Sequence, residues 1–412
     1  MLDLSFKTAP QSRRISTSLF RHSSLGFVSG VRYSLRILAT FALLGAISLA
    51  SGCSRLHPKP AAQYVYVTAK QTYLRDRVAA VSNRTATVQN GDQLQILEHG
   101  RRFYRVKTPS GQVGWIDEKA VATQDVFDEF EDLAKSHASD TTIASAVVRD
   151  DVNLHVKPGR ETERFYRLLE GDKLHLLQRA TLPKPVPGSP IPSQAPNPAK
   201  AASAASPENQ PPPIAMEDWW LVRDAHGRTG WLLSRMIDVD APETLTRYAE
   251  GQRIVGAYVL ANVYDPEANQ PDKNIPEYVT VLSPWAAGLP YDFDQVRIFT
   301  WNVKMHRYET AYRERNIEGY LPVTIGMGKD PYGKSPQAQT PLPTFSYRVL
   351  AADAGPVVPD PTTGMIKAGH TIEKTYRLEG NLVRRIQPPG TPKDDEAHPA
   401  PDDKKAKKTK RR

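Results

Sequence analysis

The chain carries few side chains whose type and spacing suit catalysis. Cys53 is the only cysteine among 412 residues, so no other thiol can act as a nucleophile and no disulfide can form within the chain. The ten histidines are scattered, and no pair has the spacing of metal ligands. Asp292 and Asp294 flank one phenylalanine; on a strand they would share a face and either bind a cation, exchange protons or simply cap a turn. Metalloprotease, serine-hydrolase and Walker-loop motifs are absent. We therefore expect no enzymatic activity, no metal site and no cofactor.

The residues before Cys53 indicate a role for this cysteine at a membrane. Residues 37–50 are fourteen residues without a charge, a run too short to span a bilayer comfortably but typical of the apolar part of a signal peptide. Arg32 and Arg36 precede the run, as in the positive part of such a peptide. The residues Ala50-Ser51-Gly52-Cys53 resemble the lipobox of bacterial lipoproteins.

This resemblance implies that residues 1–52 are a lipoprotein signal peptide and that the mature chain begins at Cys53. The Cys53 sulfur would carry a diacylglycerol, whose fatty-acid chains (palmitate or similar) anchor the protein to a membrane. The alternative is a buried core thiol. A cysteine used as an anchor excludes a cysteine peptidase or an L,D-transpeptidase. Ser54 in the next position favours sorting to the outer membrane in a two-membrane bacterium; we expect the protein to face the periplasm or the exterior.

The net charge of +9 is concentrated at the two ends of the chain. Residues 1–52 carry six Lys or Arg and one Asp, and residues 393–412 carry eight basic and five acidic residues, so the remainder is nearly neutral. Nucleic-acid binding would need a basic face on a folded domain, and we predict none. Residues 389–412 are rich in Pro, Asp and Lys and are predicted to form a disordered basic tail.

An internal repeat predicts two small β units. The sequence GDQLQIL at 91–97 recurs as GDKLHLL at 171–177, and RVKTPSGQVGW at 105–115 recurs as LVRDAHGRTGW at 221–231. Short runs of alternating apolar and polar residues, separated by glycine turns, are typical of antiparallel strands.

The repeated pattern resembles that of bacterial SH3-like domains. The second copy has the start Asn153-Leu154-His155-Val156-Lys157-Pro158-Gly159, and both copies end in an aromatic pair followed by Gly-x-x-Gly-Trp. The resemblance covers 62–123 and 143–238. It implies two small β-barrels that bind peptidoglycan, its peptides or partner proteins.

Four aromatic residues are predicted to lie in the barrel cores. Alternation along the strands turns Tyr104 and Trp220 inward. Trp115 and Trp231 follow the Gly-x-x-Gly turns and are predicted to plug the two barrels.

Two surfaces are candidates for ligand binding. Alternation turns Phe103 and Trp219 outward, where an exposed aromatic ring is able either to bind a ligand or to pack on the neighbouring unit. Arg307, Glu309 and Arg313 are predicted to share one face of a strand, either as solvated salt pairs or as a charged binding face.

The remaining segments are linkers and a third region. Residues 124–142 predict an amphipathic helical linker, and residues 183–213 hold eleven prolines and predict an extended insertion in the second barrel. Residues 243–388 read as successive strands and predict a larger antiparallel domain, a meander or a sandwich. This region resembles a β domain of envelope proteins that carry SH3-like repeats, a resemblance that implies no particular activity.

These features together predict an all-β, non-enzymatic lipoprotein of the cell envelope, with disordered termini. The first hypothesis is that its SH3-like modules bind peptidoglycan. A second is that it is a scaffold or assembly subunit that docks other envelope proteins. A third is a cell-wall hydrolase whose site lies unrecognised in 243–388.

Overall fold

The computed structural model describes residues 62–79, 81–185, 215–392 and 395–398, which belong to one compact unit beginning at Ala62. The predicted signal peptide, Cys53 and most of the proline-rich insertion lie outside the described residues. The fold is almost entirely β, with three antiparallel seven-stranded sheets, which confirms the predicted fold class.

The first sheet has the strand order β3-β2-β6-β5-β4-β1-β7. Its strands are β1 (Tyr64–Val67), β2 (Gln71–Arg75), β3 (Arg84–Gln89), β4 (Gln93–His99), β5 (Phe103–Lys107), β6 (Val113–Asp117) and β7 (Val121–Thr123). The alternating residues that face inward form a closed apolar core around Leu74, Leu94 and Val106, each with 0% exposure.

The second sheet repeats this order as β10-β9-β13-β12-β11-β8-β14. Its strands are β8 (Ala144–Val148), β9 (Val152–His155), β10 (Arg164–Leu168), β11 (Lys173–Pro183), β12 (Met216–Asp224), β13 (Thr229–Leu233) and β14 (Ile237–Val239). The glycine before each Trp of the repeat has the same role in both sheets: a Cβ on Gly114 would lie 2.7 Å from Leu74 Cβ, and one on Gly230 would lie 2.7 Å from Leu154 Cβ. The repeat in sequence is therefore a repeat in topology and in close packing.

One helix, α1 (Gln124–Ser136), lies within the segment 124–142 that was predicted to link the two units. Its Phe130 is fully buried, and the Phe127 ring stacks on Tyr66 of the first sheet with centroids 4.1 Å apart. Asn90 adds a polar connection, because its amide donates to the Phe165 carbonyl of the second unit at 3.1 Å.

The third sheet is a meander, with strands β15 to β21 adjacent in chain order. They are β15 (Ile254–Tyr264), β16 (Asn274–Leu282), β17 (Phe293–Asn302), β18 (Arg307–Gly328), β19 (Leu342–Leu350), β20 (Thr371–Glu379) and β21 (Leu382–Ile386). A short helix, α2 (Glu243–Thr246), precedes it, and 3-10 turns cover Glu118–Ala120, Ser234–Met236, Arg247–Ala249 and Pro336–Gln339.

The β11–β12 hairpin joins the second unit to the third sheet. It is longer than the equivalent β4–β5 hairpin, and its extra length carries Arg179, which is 9% exposed. Arg179 donates to the carboxylates of Asp292 (2.8 Å) and Asp218 (3.0 Å) and to two backbone carbonyls. The insertion leaves from the far end of this hairpin, where the Lys184 N–H donates to the Ala215 carbonyl at 2.7 Å.

Residues 389–392 and 395–398 of the predicted basic tail are among the described residues, and the second of these segments contacts the third sheet. Ala351 forms an isolated β-bridge with Glu396, and the Ala397 N–H donates to the Leu350 carbonyl at 2.8 Å. The Glu396 carboxylate also lies 2.8 Å from Nζ of Lys374, a lysine with 3% exposure. A buried ammonium requires anionic partners, and Glu396 supplies one for Lys374. No helix within the described ranges is long and apolar enough to cross a membrane.

Candidate functional site

A row of side chains crosses the outer face of the first sheet. The register pairs Arg84 with Arg75, Arg75 with Trp115, Trp115 with Arg105, and Arg105 with Glu98. Residues that are paired directly across antiparallel strands point to the same face, with Cβ atoms about 5 Å apart. Trp115 therefore lies at the middle of the row, with an arginine on each side.

This face holds an open groove of about 590 Å³. Phe103 and Trp115 line it, together with Tyr73, Arg75, Arg77 and Asp117. Both aromatic rings are partly exposed, because the inward positions of β5 and β6 are occupied by Tyr104, Val106 and Ile116. The Tyr73 ring at the side of the groove is held by the guanidinium of Arg84, 3.9 Å from its centroid.

The charges at the groove favour an anion. The Asp117 carboxylate already caps the following 3-10 turn, where it accepts a hydrogen bond from the Lys119 N–H at 2.9 Å. Arg75 donates to the hydroxyl of Ser82 at 2.9 Å, and no carboxylate within the described residues pairs with it. The groove therefore offers flat apolar rings for stacking and guanidinium groups for a negatively charged partner.

The corresponding face of the second sheet is filled. There His155 and Leu221 are the neighbours of Trp231 in place of the two arginines. Trp219 and Trp231 pack in one cluster with Leu133 of α1 and Met365 of the third region. Burial, with a smaller contribution from Arg164, lowers the pKa of His155 to about 4, so the two positions beside Trp231 carry no charge at neutral pH. Arg160 and Glu217 form an ion pair at the edge of this unit.

The structure therefore corrects the predictions for three aromatic residues, Trp219, Trp115 and Trp231. Trp219 does face away from its barrel core, but it is only 2% exposed because α1 and the third region cover that face, so it is not available as a ligand-binding residue. Trp115 does not plug the core of the first barrel; it lies on the open face beside Phe103. The signal that was missed in the sequence is the apolar residue Ile116. It is buried in the barrel, so its neighbour in the strand, Trp115, must face the other way.

Tyr104, Trp220 and Trp231 are all buried, with 8%, 4% and 6% exposure. Tyr104 lies in the core of the first barrel and Trp220 in the core of the second. Trp231 does not plug the second barrel as predicted; it is buried on the opposite face of the second sheet, in the cluster with Trp219.

The charged face predicted on β18 does not exist as one surface. On the neighbouring strand β17, Glu309 pairs with Thr300 and Arg313 pairs with Arg297. These two β17 residues are three positions apart and face opposite sides of the sheet, because a β-bulge lies between the two pairs. Arg307 and Glu309 form an exposed ion pair at 3.1 Å, whereas Arg313 bonds to Glu250 at 2.7 Å. These residues are separate salt pairs on opposite faces of the strand.

The Asp292 and Asp294 carboxylates serve the structure. Asp292 accepts from Arg179 and from the Leu321 N–H, at 2.8 and 2.9 Å, and Asp294 accepts from the Gln252 amide at 2.9 Å. Among the residues that the structure describes, no group of three or more His, Cys, Asp or Glu side chains is placed to hold a metal ion.

The sequence reasoning missed a buried carboxylate that organises the β17–β18 turn. Asp265, fully buried, accepts from Nε1 of Trp301 and contacts Nδ1 of His306, each at 2.8 Å. The hydrogen bond to Asp265 raises the pKa of His306. A small cavity of about 250 Å³ lies beside Trp301 and His306. Asp265 precedes the turn by some forty residues, so no local pattern in the sequence reveals this contact.

The short strands and closed core of the first unit are those of a small β-barrel, and its outer face carries an open aromatic groove. In agreement, residues 71–122 match the family model of the bacterial SH3 domain. No curated protein matches the chain. Solved structures that match include NlpC2 from Trichomonas vaginalis (9% identity, 52% of this chain and 62% of that one, TM-score 0.14) and an NlpC/P60 family protein from Bacillus cereus (10% identity, 48% and 65%, TM-score 0.20). The chain spans less than two thirds of each, and similarity at this level gives no information on function.

Proposed function

We propose that this chain is a non-enzymatic protein of the bacterial cell envelope whose first SH3 domain binds peptidoglycan through the groove at Phe103 and Trp115. The observation that carries the proposal is the open groove on a bacterial SH3 domain, formed by partly exposed aromatic rings next to Arg75, which pairs with no carboxylate among the described residues. Exposed aromatic rings and arginines are the residue types that contribute most to binding surfaces.

The two repeated units then have different roles. In the first, the outer aromatic face is free for a ligand; in the second, which we assign as a further SH3-like barrel, the same face is occupied by Leu133 and Met365. The second barrel serves to fix the third domain in place, through the β11–β12 hairpin and Arg179.

Membrane attachment through Cys53 is the second part of the proposal, and it is supported by the lipobox-like residues 50–53. The Cys53→Ala variant should remain an uncleaved precursor that is not labelled by radioactive palmitate. Normal maturation and normal palmitate labelling of this variant would contradict lipidation at Cys53.

The binding proposal is tested by cosedimentation of the full chain with purified sacculi. We expect the wild-type chain to be retained and the Phe103→Ala variant to be retained less, with an unchanged melting temperature. A Leu382→Ala variant is the matched control, since Leu382 is also an exposed apolar residue but lies on β21 of the third sheet. Failure to bind sacculi, together with stoichiometric copurification of an envelope protein that Phe103→Ala releases, would instead favour the scaffold function.

A further inference from the structure

The neighbours of Trp115 differ in charge from those of its counterpart Trp231. Arg75 and Arg105 are paired directly with Trp115, whereas the same two positions beside Trp231 are His155 and Leu221, both buried. The backbone pairing is the same in the two sheets, so the fold does not require arginine at either position. The two arginines are found on the sheet whose face is open.

Both guanidinium groups have capacity for a further partner. Arg75 has one hydrogen bond to a neutral hydroxyl, and Arg105 has one ion pair to Glu98, with the charged atoms 3.7 Å apart and both side chains about half exposed. A guanidinium carries five N–H donors and binds a carboxylate through two parallel hydrogen bonds. Each arginine is therefore able to donate hydrogen bonds to a ligand carboxylate without losing a buried contact.

The spacing of the two arginines restricts the ligand. They lie on β2 and β5, on either side of β6, and strands are about 4.8 Å apart, so their backbones are about 10 Å apart. An extended peptide covers that distance in about three residues. The rings of Trp115 and Phe103 lie in or beside this interval and offer apolar surface to the ligand backbone.

We propose that the ligand of this groove is a short peptide with free carboxylate groups, which is bound on either side of Trp115 by Arg75 of the groove and by Arg105 on the adjoining part of the same face. This inference rests on the proposed peptidoglycan binding and adds the chemistry of the ligand: the acidic peptides of the cell wall are bound, and neutral peptide bridges or the sugar chains are not.

The experiment compares native sacculi with sacculi whose carboxylates have been converted to amides by carbodiimide and methylamine, both prepared free of phosphate polymers. The full chain is cosedimented with each at low salt. We expect amidation to weaken binding of the wild-type chain at least tenfold. Arg75→Gln should weaken binding to native sacculi about fivefold, the effect of one exposed charge pair, and Arg75→Gln/Arg105→Gln should bind native and amidated sacculi alike.

The matched control is Arg247→Gln, which removes the same charge from an exposed arginine on a 3-10 turn far along the chain; its binding should equal that of the wild type. Unchanged melting temperatures show that each variant is folded. Arg75→Lys keeps the charge but not the planar pair of donors, and we expect an intermediate affinity.

Equal binding of the wild-type chain to native and amidated sacculi would overturn carboxylate recognition and leave peptidoglycan binding intact. If sacculi are not bound at all, the proposed function is wrong. Titration with the soluble tripeptide Ala-Glu-Ala then decides the present inference: binding that Arg75→Gln/Arg105→Gln weakens supports it, and no binding, or binding that these substitutions leave unchanged, overturns it.

Discussion

Equivalent tryptophans in the two repeats should respond differently to truncation. Trp231 is 6% exposed and packs in a cluster with Trp219, Leu221 and Leu133, whereas Trp115 lines an open groove. Replacing a buried tryptophan by alanine costs about 3–5 kcal/mol through lost burial and the cavity that remains. Replacing a partly exposed one with no cavity to create should cost about 1 kcal/mol.

The assay is differential scanning calorimetry of Trp115→Ala and Trp231→Ala, combined with amide hydrogen exchange, because a chain of this size need not unfold in one step. We expect Trp231→Ala to lower Tm by roughly 10 °C and to increase exchange in the second unit. Trp115→Ala should lower Tm by a few degrees at most and increase exchange only in strands β2, β5 and β6.

Trp231→Phe is the control that retains an aromatic ring, and it should recover part of the lost stability. Equal destabilisation by Trp115→Ala and Trp231→Ala would refute the distinction between an open and a filled face. Both tryptophans would then contribute to stability as buried residues, and the groove would no longer be supported as a binding site.

Three further perturbations follow from the contacts of the second and third sheets. Arg179→Ala removes the cation shared by Asp218 and Asp292 and one donor from each of two carbonyls, and it should destabilise by about 3–5 kcal/mol in urea unfolding, whereas an effect below 1 kcal/mol would show that the hairpin does not depend on this residue. Because the folded-state pKa of His155 is about 4, the unfolded chain takes up the proton first as pH falls through 6.5. The free energy of unfolding therefore decreases as pH falls from 6.5 to 4, and it is about 2 kcal/mol lower at pH 5 than at neutral pH. His155→Gln should flatten this part of the stability profile, and an unaltered profile would contradict the assignment. Deletion of 186–214 with a short Gly/Ser connection should leave Tm nearly unchanged, since residues 184 and 215 are already hydrogen bonded; a collapse of the second unit in the melt would show that the insertion packs as structure.

The class of the fold could be predicted from the sequence because the relevant signals are local. Alternation along short strands, glycines in turns and the repeated Gly-x-x-Gly-Trp pattern each act within one hairpin. They predicted antiparallel sheets and the repeat, and they left open whether the third region is a meander or a sandwich. The meander has strand order identical to chain order, which alternation alone does not determine.

The candidate site was predicted only in part because exposure is a tertiary property. Alternation correctly placed Trp219 on the outer side of its sheet, but it could not show that Met365, more than a hundred residues later, covers that side. The face of Arg313 was misassigned because a β-bulge changes the parity of the strand, and no residue type marks the bulge. The row of Arg75, Trp115 and Arg105 is formed by pairing between three strands, so it can be recognised only when the register of those strands is known.

The most direct test of the central claim is the affinity of the Trp115→Ala variant for purified sacculi, measured by cosedimentation of the full chain beside the wild type. Truncating a central aromatic residue of a binding surface typically costs about 2 kcal/mol or more, so we expect affinity to fall at least tenfold, while the melting temperature changes by only a few degrees. Wild-type affinity in a folded Trp115→Ala protein would contradict the assignment of this groove as the peptidoglycan-binding site.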